Sequence, residues 1–133
     1  MERRAGLRRQ LQTALESHQE VVFAYLYGSF LDEVLPYHDV DVAVYVDPNW
    51  ASGQDLFEYE MTLSVDLTLA LHVPADVHVL NEAPLGFQHN VLYRGEVLFS
   101  RDDERLTDLI EQVGLQYMEF SYYVREYLQE VTS

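Results

Sequence analysis

The sequence predicts an α+β fold in one domain spanning residues 1–133, a small mixed sheet flanked by helices with a long helix at the C-terminus. Three observations predict it. Short apolar runs at Val21–Tyr27 and Ala75–Leu80 and a strictly alternating run at Asp39–Asp47 read as strands. Between and around them, apolar residues recur at helical spacing. The last thirty or so residues carry an unbroken 3.5-residue apolar period.

Taken in order, Leu7, Leu11 and Leu15 recur every four residues and predict a helix from Arg4 to about Glu20. Arg at its start and Glu at its end oppose the helix dipole, so the arginines are not there for helix stability. Val21–Tyr27 is rich in β-branched and aromatic residues, as a buried strand requires, and Gly28-Ser29 ends it. In the next strand Val40, Val42, Val44 and Val46 share one face, and Asp39, Asp41, Ala43 and Tyr45 the other. Pro48-Asn49 closes it. Leu56, Tyr59, Leu63, Leu67 and Leu71 mark a helix within 54–71, and Pro74 resets the chain into the Ala75–Leu80 strand, with Asp76 and His78 on one face. A short helix follows Pro84, Arg94-Gly95 turns, and Glu96–Phe99 forms a small strand.

Ser100-Arg101-Asp102-Asp103-Glu104 is a capping-type start for the last helix, whose apolar positions run from Leu106 through Ile110, Val113, Tyr117, Phe120, Val124 and Tyr127 to Val131. Over Asp102–Val131 such a helix measures about 45 Å, whereas a globule of this size is roughly 36 Å across. Either Gly114 breaks the helix or its end overhangs and meets a partner.

Charge and composition exclude several functions. There are 23 acidic and 8 basic residues, for a net charge of −15, and every basic residue is Arg. Arg3, Arg4, Arg8 and Arg9 against Glu2 leave the first nine residues at +3; four arginines against 22 acids leave the rest at −18. Such a body lacks the basic surface that binding DNA or RNA through phosphates requires, so no direct nucleic-acid partner is expected. Cysteine is absent, which removes disulfides, zinc–thiolate sites and thiol nucleophiles. The charged start has no apolar run after it and no window is long and apolar enough to span a membrane, so a cytoplasmic location is expected. The five histidines show no zinc-binding spacing, and Ser29 lacks the G-x-S-x-G setting of a hydrolase nucleophile.

The stretch that carries chemistry is Gly28-Ser29, then Asp39-Val40-Asp41, then Asp76 on the following strand. Two carboxylates two residues apart on a strand lie roughly 7 Å apart and repel by about 2 kcal/mol at an effective dielectric near 20. Asp76 on a neighbouring strand adds to the repulsion, and a divalent cation reverses its sign. Carboxylate oxygens suit Mg²⁺, which shares its shell with substrate phosphates; a pair of such ions clamps the attacking and leaving oxygens of a nucleotidyl transfer. Gly28 permits a sharp turn and close backbone approach, Ser29 offers a hydroxyl, and backbone N–H groups of a short helix after it suit phosphate.

The run YLYGSFLDEVLPYHDVDVAVYV resembles the nucleotidyltransferase signature of the DNA polymerase β superfamily, and ADVHVLNEAP resembles the strand that carries its third Asp. Small size, the turn and strand in YRGEVLFSRDDER and the terminal helix make the chain most similar to the minimal nucleotidyltransferases, the antitoxin halves of HEPN/MNT toxin–antitoxin pairs. The resemblance implies the polymerase β-like nucleotidyltransferase fold and transfer of AMP from ATP, with two Mg²⁺ ions, to a tyrosine of a partner HEPN ribonuclease toxin. It implies that Gly28 and Ser29 bind the nucleotide, that Asp39 and Asp41 ligate metal, and that Asp76 is the third catalytic, metal-ligating carboxylate. The sequence departs from the pattern in a gap one residue short of the commonest form, and in Leu31, Asp32, Glu33 and Val34, which stand where a small residue, a basic residue and a second glycine are usual; the two acids are expected to weaken ATP binding. Two alternatives follow: a weakly active or inactive protein that neutralises its toxin by binding alone, and a nucleotidyltransferase acting on a small molecule.

Overall fold

The computed structural model describes residues 2–31 and 39–132. Helix α1 (Glu2–Glu16) leads through a tight turn into β1 (Val21–Tyr27), followed by a 3₁₀ turn, Gly28–Leu31. Then come β2 (Val40–Val46), α2 (Pro48–Ala51), α3 (Leu56–Leu71), β3 (Ala75–Val79), α4 (Leu85–Arg94), β4 (Glu96–Ser100) and α5 (Asp103–Thr132). The sheet order is β3-β2-β1-β4; β1 is antiparallel to both β2 and β4, and β2 is parallel to β3. The parallel pair follows from the helical crossover between its strands, as parallel neighbours require. The mixed sheet, its helical flanks and the long final helix are those expected.

Two apolar cores cover the two faces of the sheet. The valines of β2 point into one, with Leu7, Leu11 and Leu15 of α1 and Leu63, Leu67 and Leu71 of α3. Ala43, Phe23 and Tyr25 point into the other, under Val91 and Leu92 of α4 and Leu106 and Val113 of α5. The alternation along β2 thus places Asp41 on the face of the second core, at the end of the strand where that core thins out.

Strand β3 is an edge, and α3 closes it. Thr68, Ser64 and Glu60 lie four residues apart on α3 and accept hydrogen bonds from the N–H groups of Ala75, Val77 and Val79 at 2.9, 2.9 and 2.7 Å. Four helical residues rise about 6 Å and two strand residues about 6.6 Å, so the two repeats run nearly in step. The outward N–H groups that would otherwise offer a template for another strand are satisfied.

Several boundaries move. Helix α1 stops at Glu16 rather than near Glu20, because the 17–20 turn must reverse the chain; the Arg101 guanidinium donates to the carbonyls of Glu16 and Val21 at 2.6 and 2.8 Å and holds that turn. Asp39 precedes β2 instead of belonging to it, and β3 ends at Val79. Pro48-Asn49 does not merely end β2 but opens α2: the Asp47 carboxylate accepts from the N–H of Asn49 at 2.8 Å, and Pro48 takes the position where its missing N–H costs nothing. At α5 the cap is Asp102, which accepts from the N–H of Arg105 at 3.0 Å.

Helix α5 is continuous, so Gly114 does not break it. A Cβ at Gly114 would collide with the Tyr93 hydroxyl, which donates to the Ile110 carbonyl at 2.9 Å. The residue is small to let α4 approach, a gain that outweighs glycine's helix cost of about 1 kcal/mol. Tyr117 still stacks on His89 of α4, with ring centroids 3.8 Å apart, and beyond it the helix overhangs, with Met118, Phe120, Tyr123, Tyr127 and Val131 all exposed. Among the described residues no helix is long and apolar enough to cross a membrane.

Candidate active site

The candidate residues gather at one end of the sheet, where β1 finishes and β2 and β3 begin. Parallel pairing sets Asp41 directly beside Asp76, and antiparallel pairing sets Tyr27 beside Asp41 on its other side. Gly28 follows with φ +81°, a left-handed conformation that favours glycine, and a Cβ there would strike the Asp41 carboxylate. Gly28 therefore serves two needs at once, the turn after β1 and the room for Asp41. Ser29 lies in the 3₁₀ turn, whose Phe30 is buried in the first core. Asp39 sits one residue before β2.

The electrostatics show how tightly these acids converge. Burial, then Asp39 and Asp76, push the Asp41 pKa above the ordinary 3.8, and His78 partly offsets the rise. The Tyr27 hydroxyl is held neutral far above its usual range, first by burial and then by Asp41, Asp76, Glu60 and Asp39. Asp76 accepts a partner in His78, whose Nε2 lies 3.0 Å from its Oδ2, while Glu60 lies 3.7 Å from the other ring nitrogen. Phe87 packs edge-on against both Tyr27 and His78, with ring centroids 5.5 and 5.6 Å away.

These hard oxygen donors, crowded enough to disfavour the ionisation of Asp41, fit a dication such as Mg²⁺. Among the described residues, however, no three acidic or histidine side chains stand as a ready-made cage for an ion. Asp76 meets His78 through Oδ2, and its other oxygen, Oδ1, is the one that can share an ion with Asp41. Asp32, Glu33 and His38 lie outside the described residues.

A cleft of about 390 Å³ opens beside Gly28, bordered by Tyr27, Leu31, Asn90, Arg94 and Gly95. A larger cavity, about 860 Å³, lies at the opposite end of the strands between the 48–57 segment and α5; it is lined by Asn81, Gln88, Gln112 and Gln116 and is remote from the three aspartates. The sequence reading missed Tyr27, Glu60 and Arg94 as neighbours of the site. The acid Glu60, in register with Ser64 and Thr68 on the sheet-facing side of a helix, was a readable signal; the other two depend on pairings that only the fold creates.

The fold and the spacing of the acids define a nucleotidyltransferase. Residues 9–104 match the family described as polymerase beta, nucleotidyltransferase, and the chain belongs to that family. Its fold is shared by chains of solved toxin–antitoxin complexes. One, from a toxin–antitoxin crystal structure with AMP-PNP, is 18% identical with a TM-score of 0.75, over 95% of this chain and 98% of that one. A second, from the MntA-HepT toxin–antitoxin structure, is 17% identical with a TM-score of 0.70, over 96% and 97%. A third, from tri-AMPylated Shewanella oneidensis HEPN toxin in complex with MNT antitoxin, is 18% identical with a TM-score of 0.69, over 95% and 99%. No curated protein matches the sequence.

Proposed function

We propose that this protein is an antitoxin that transfers AMP from ATP to a tyrosine of a partner HEPN-type toxin. The observation that carries the reading is the register of Asp41 beside Asp76 with Gly28 backed against Asp41. Support also comes from the family, and from structural neighbours that include an AMP-PNP complex and an AMPylated toxin complex.

In this mechanism Gly28 and Ser29 hold the triphosphate at the end of β1, and Asp39, Asp41 and Asp76 hold Mg²⁺. Bound Mg²⁺ supplies positive charge at the reacting phosphate. Asp76, positioned by His78, takes the proton of the acceptor hydroxyl. The tyrosine oxygen attacks the α-phosphorus, forming the new P–O bond as pyrophosphate departs. Tyr27, kept neutral by burial and by the acids around it, packs with Phe87 beside the site.

The test is label transfer from ATP with Mg²⁺ to a HEPN-type toxin. Transfer that is lost in Asp41→Asn supports the reading; equal transfer by the variant overturns it. A second reading, neutralisation by contact alone, is favoured by the exposed apolar half of α5, a surface suited to the toxin as a lasting partner. It predicts full neutralisation by a folded Asp39→Asn/Asp41→Asn variant, and loss of neutralisation would end it.

A further inference from the structure

In a chain with no lysine, the permanent cations that can face a polyanionic triphosphate are arginines. The topology narrows the choice. Strand β1 runs toward the acidic edge and α1 runs antiparallel to it, so the arginine-rich start of α1 and the C-terminal end of α4 both approach that edge. Of these side chains, Arg94 borders the cleft that Gly28 also borders.

Its place is fixed by packing. At Gly95 a Cβ would come within 2.6 Å of the Val91 carbonyl oxygen and 2.8 Å of the Leu26 carbonyl oxygen. Only glycine lets α4 end this close to the last residues of β1, and the Gly95 N–H closes the helix on Val91 at 2.8 Å. Arg94 is thereby brought to the strand end where the chain turns at Gly28. Glu96, the nearest acid along the chain, is taken by Arg8 at 2.9 Å. No carboxylate among the described residues pairs with Arg94.

Resting on the nucleotidyltransferase reading, we infer that Arg94 binds the β- and γ-phosphates of ATP in the cleft beside Gly28, acting as a fixed cation at the end of β1. A planar guanidinium offers paired donors to phosphate oxygens, so it both anchors the nucleotide and favours pyrophosphate as the leaving group. The competing role is structural: a cation in the last turn of α4 also offsets the helix dipole. The two roles differ in what they do to nucleotides of different length.

The experiment is calorimetric titration of the full chain with ATP and with AMP, each with Mg²⁺, for the wild type, Arg94→Ala, Arg94→Lys and Arg125→Ala. Arg94→Ala is expected to weaken ATP binding about tenfold or more while leaving AMP binding within about twofold. Arg94→Lys should recover part of the loss, and Arg125→Ala, out on α5, should bind like the wild type. Equal weakening of ATP and AMP, or unchanged ATP affinity in Arg94→Ala, overturns the role of Arg94 and leaves the nucleotidyltransferase reading standing. Absence of ATP binding by the wild type overturns both.

Discussion

At the acidic edge of the sheet each side chain is fixed by several elements at once, whereas beyond Tyr117, whose ring stacks on His89 of α4, α5 carries the same apolar period on exposed side chains. Asp41 is placed by β1, β3 and Gly28 together, and Asp76 by β2, His78 and, through the backbone of β3, α3. On α5, Leu106 and Val113 are buried, yet Tyr123 and Tyr127 are 68% and 65% exposed. Crowded charge at one place and unspent apolar surface at the other are both costly in isolation, and under the proposed function each would be relieved by something that arrives from outside: a cation and a nucleotide at the edge, a protein at the helix.

That contrast can be broken most severely at the edge. Asp39→Asn/Asp41→Asn is expected to lower AMP transfer by a factor on the order of 10² or more, measured by label incorporation, while toxin co-purification persists. The mirror-image variant, Phe120→Ala/Tyr127→Ala, is expected to weaken toxin binding about tenfold or more by titration and to leave ATP affinity unchanged. If either variant disturbs both functions equally, the two regions do not act separately.

Gly28→Ala sharpens the edge itself. Forcing an L-residue into φ +81° with its Cβ against Asp41 is expected to cost about 1–3 kcal/mol in denaturant unfolding, with a matching loss of transfer. The smallest effect concerns pH. Because the folded-state pKa of Asp41 is raised, the native chain holds that proton more firmly than the unfolded chain. Ionising Asp41 therefore costs stability as pH rises from the ordinary 3.8 through the raised value. Asp41→Asn should melt slightly higher than the wild type at neutral pH, by on the order of 1–3 °C, with the gain vanishing below that window. A wild-type melting temperature lower than or equal to the variant's at pH 3 and higher at pH 7 would contradict this sign.

Much of this was legible because local pattern and tertiary role agree. The valines of β2, the leucines of α1 and α3, and Gly28 with Asp41 and Asp76 could each be placed from spacing alone. What escaped was set by contacts distant in sequence. Arg94 read as an ordinary turn residue because the approach of α4 to β1 is invisible until Gly95 is seen against Leu26. Gly114 was open to two readings because its purpose lies in Tyr93. The α1 boundary slipped because Arg101, 85 residues beyond Glu16, holds the turn that ends the helix. The sequence also paired Asp39 with Asp41 on one strand, while the structure begins that strand one residue later.

The ladder of Glu60, Ser64 and Thr68 along β3 has a consequence for how this protein can assemble. An incoming chain cannot lengthen the sheet at that margin, since the hydrogen-bond donors it would need are already spoken for. Recruitment on the flank that bears Asp76 must then proceed through side chains rather than through backbone pairing, and that keeps the choice of companion under the control of individual residues.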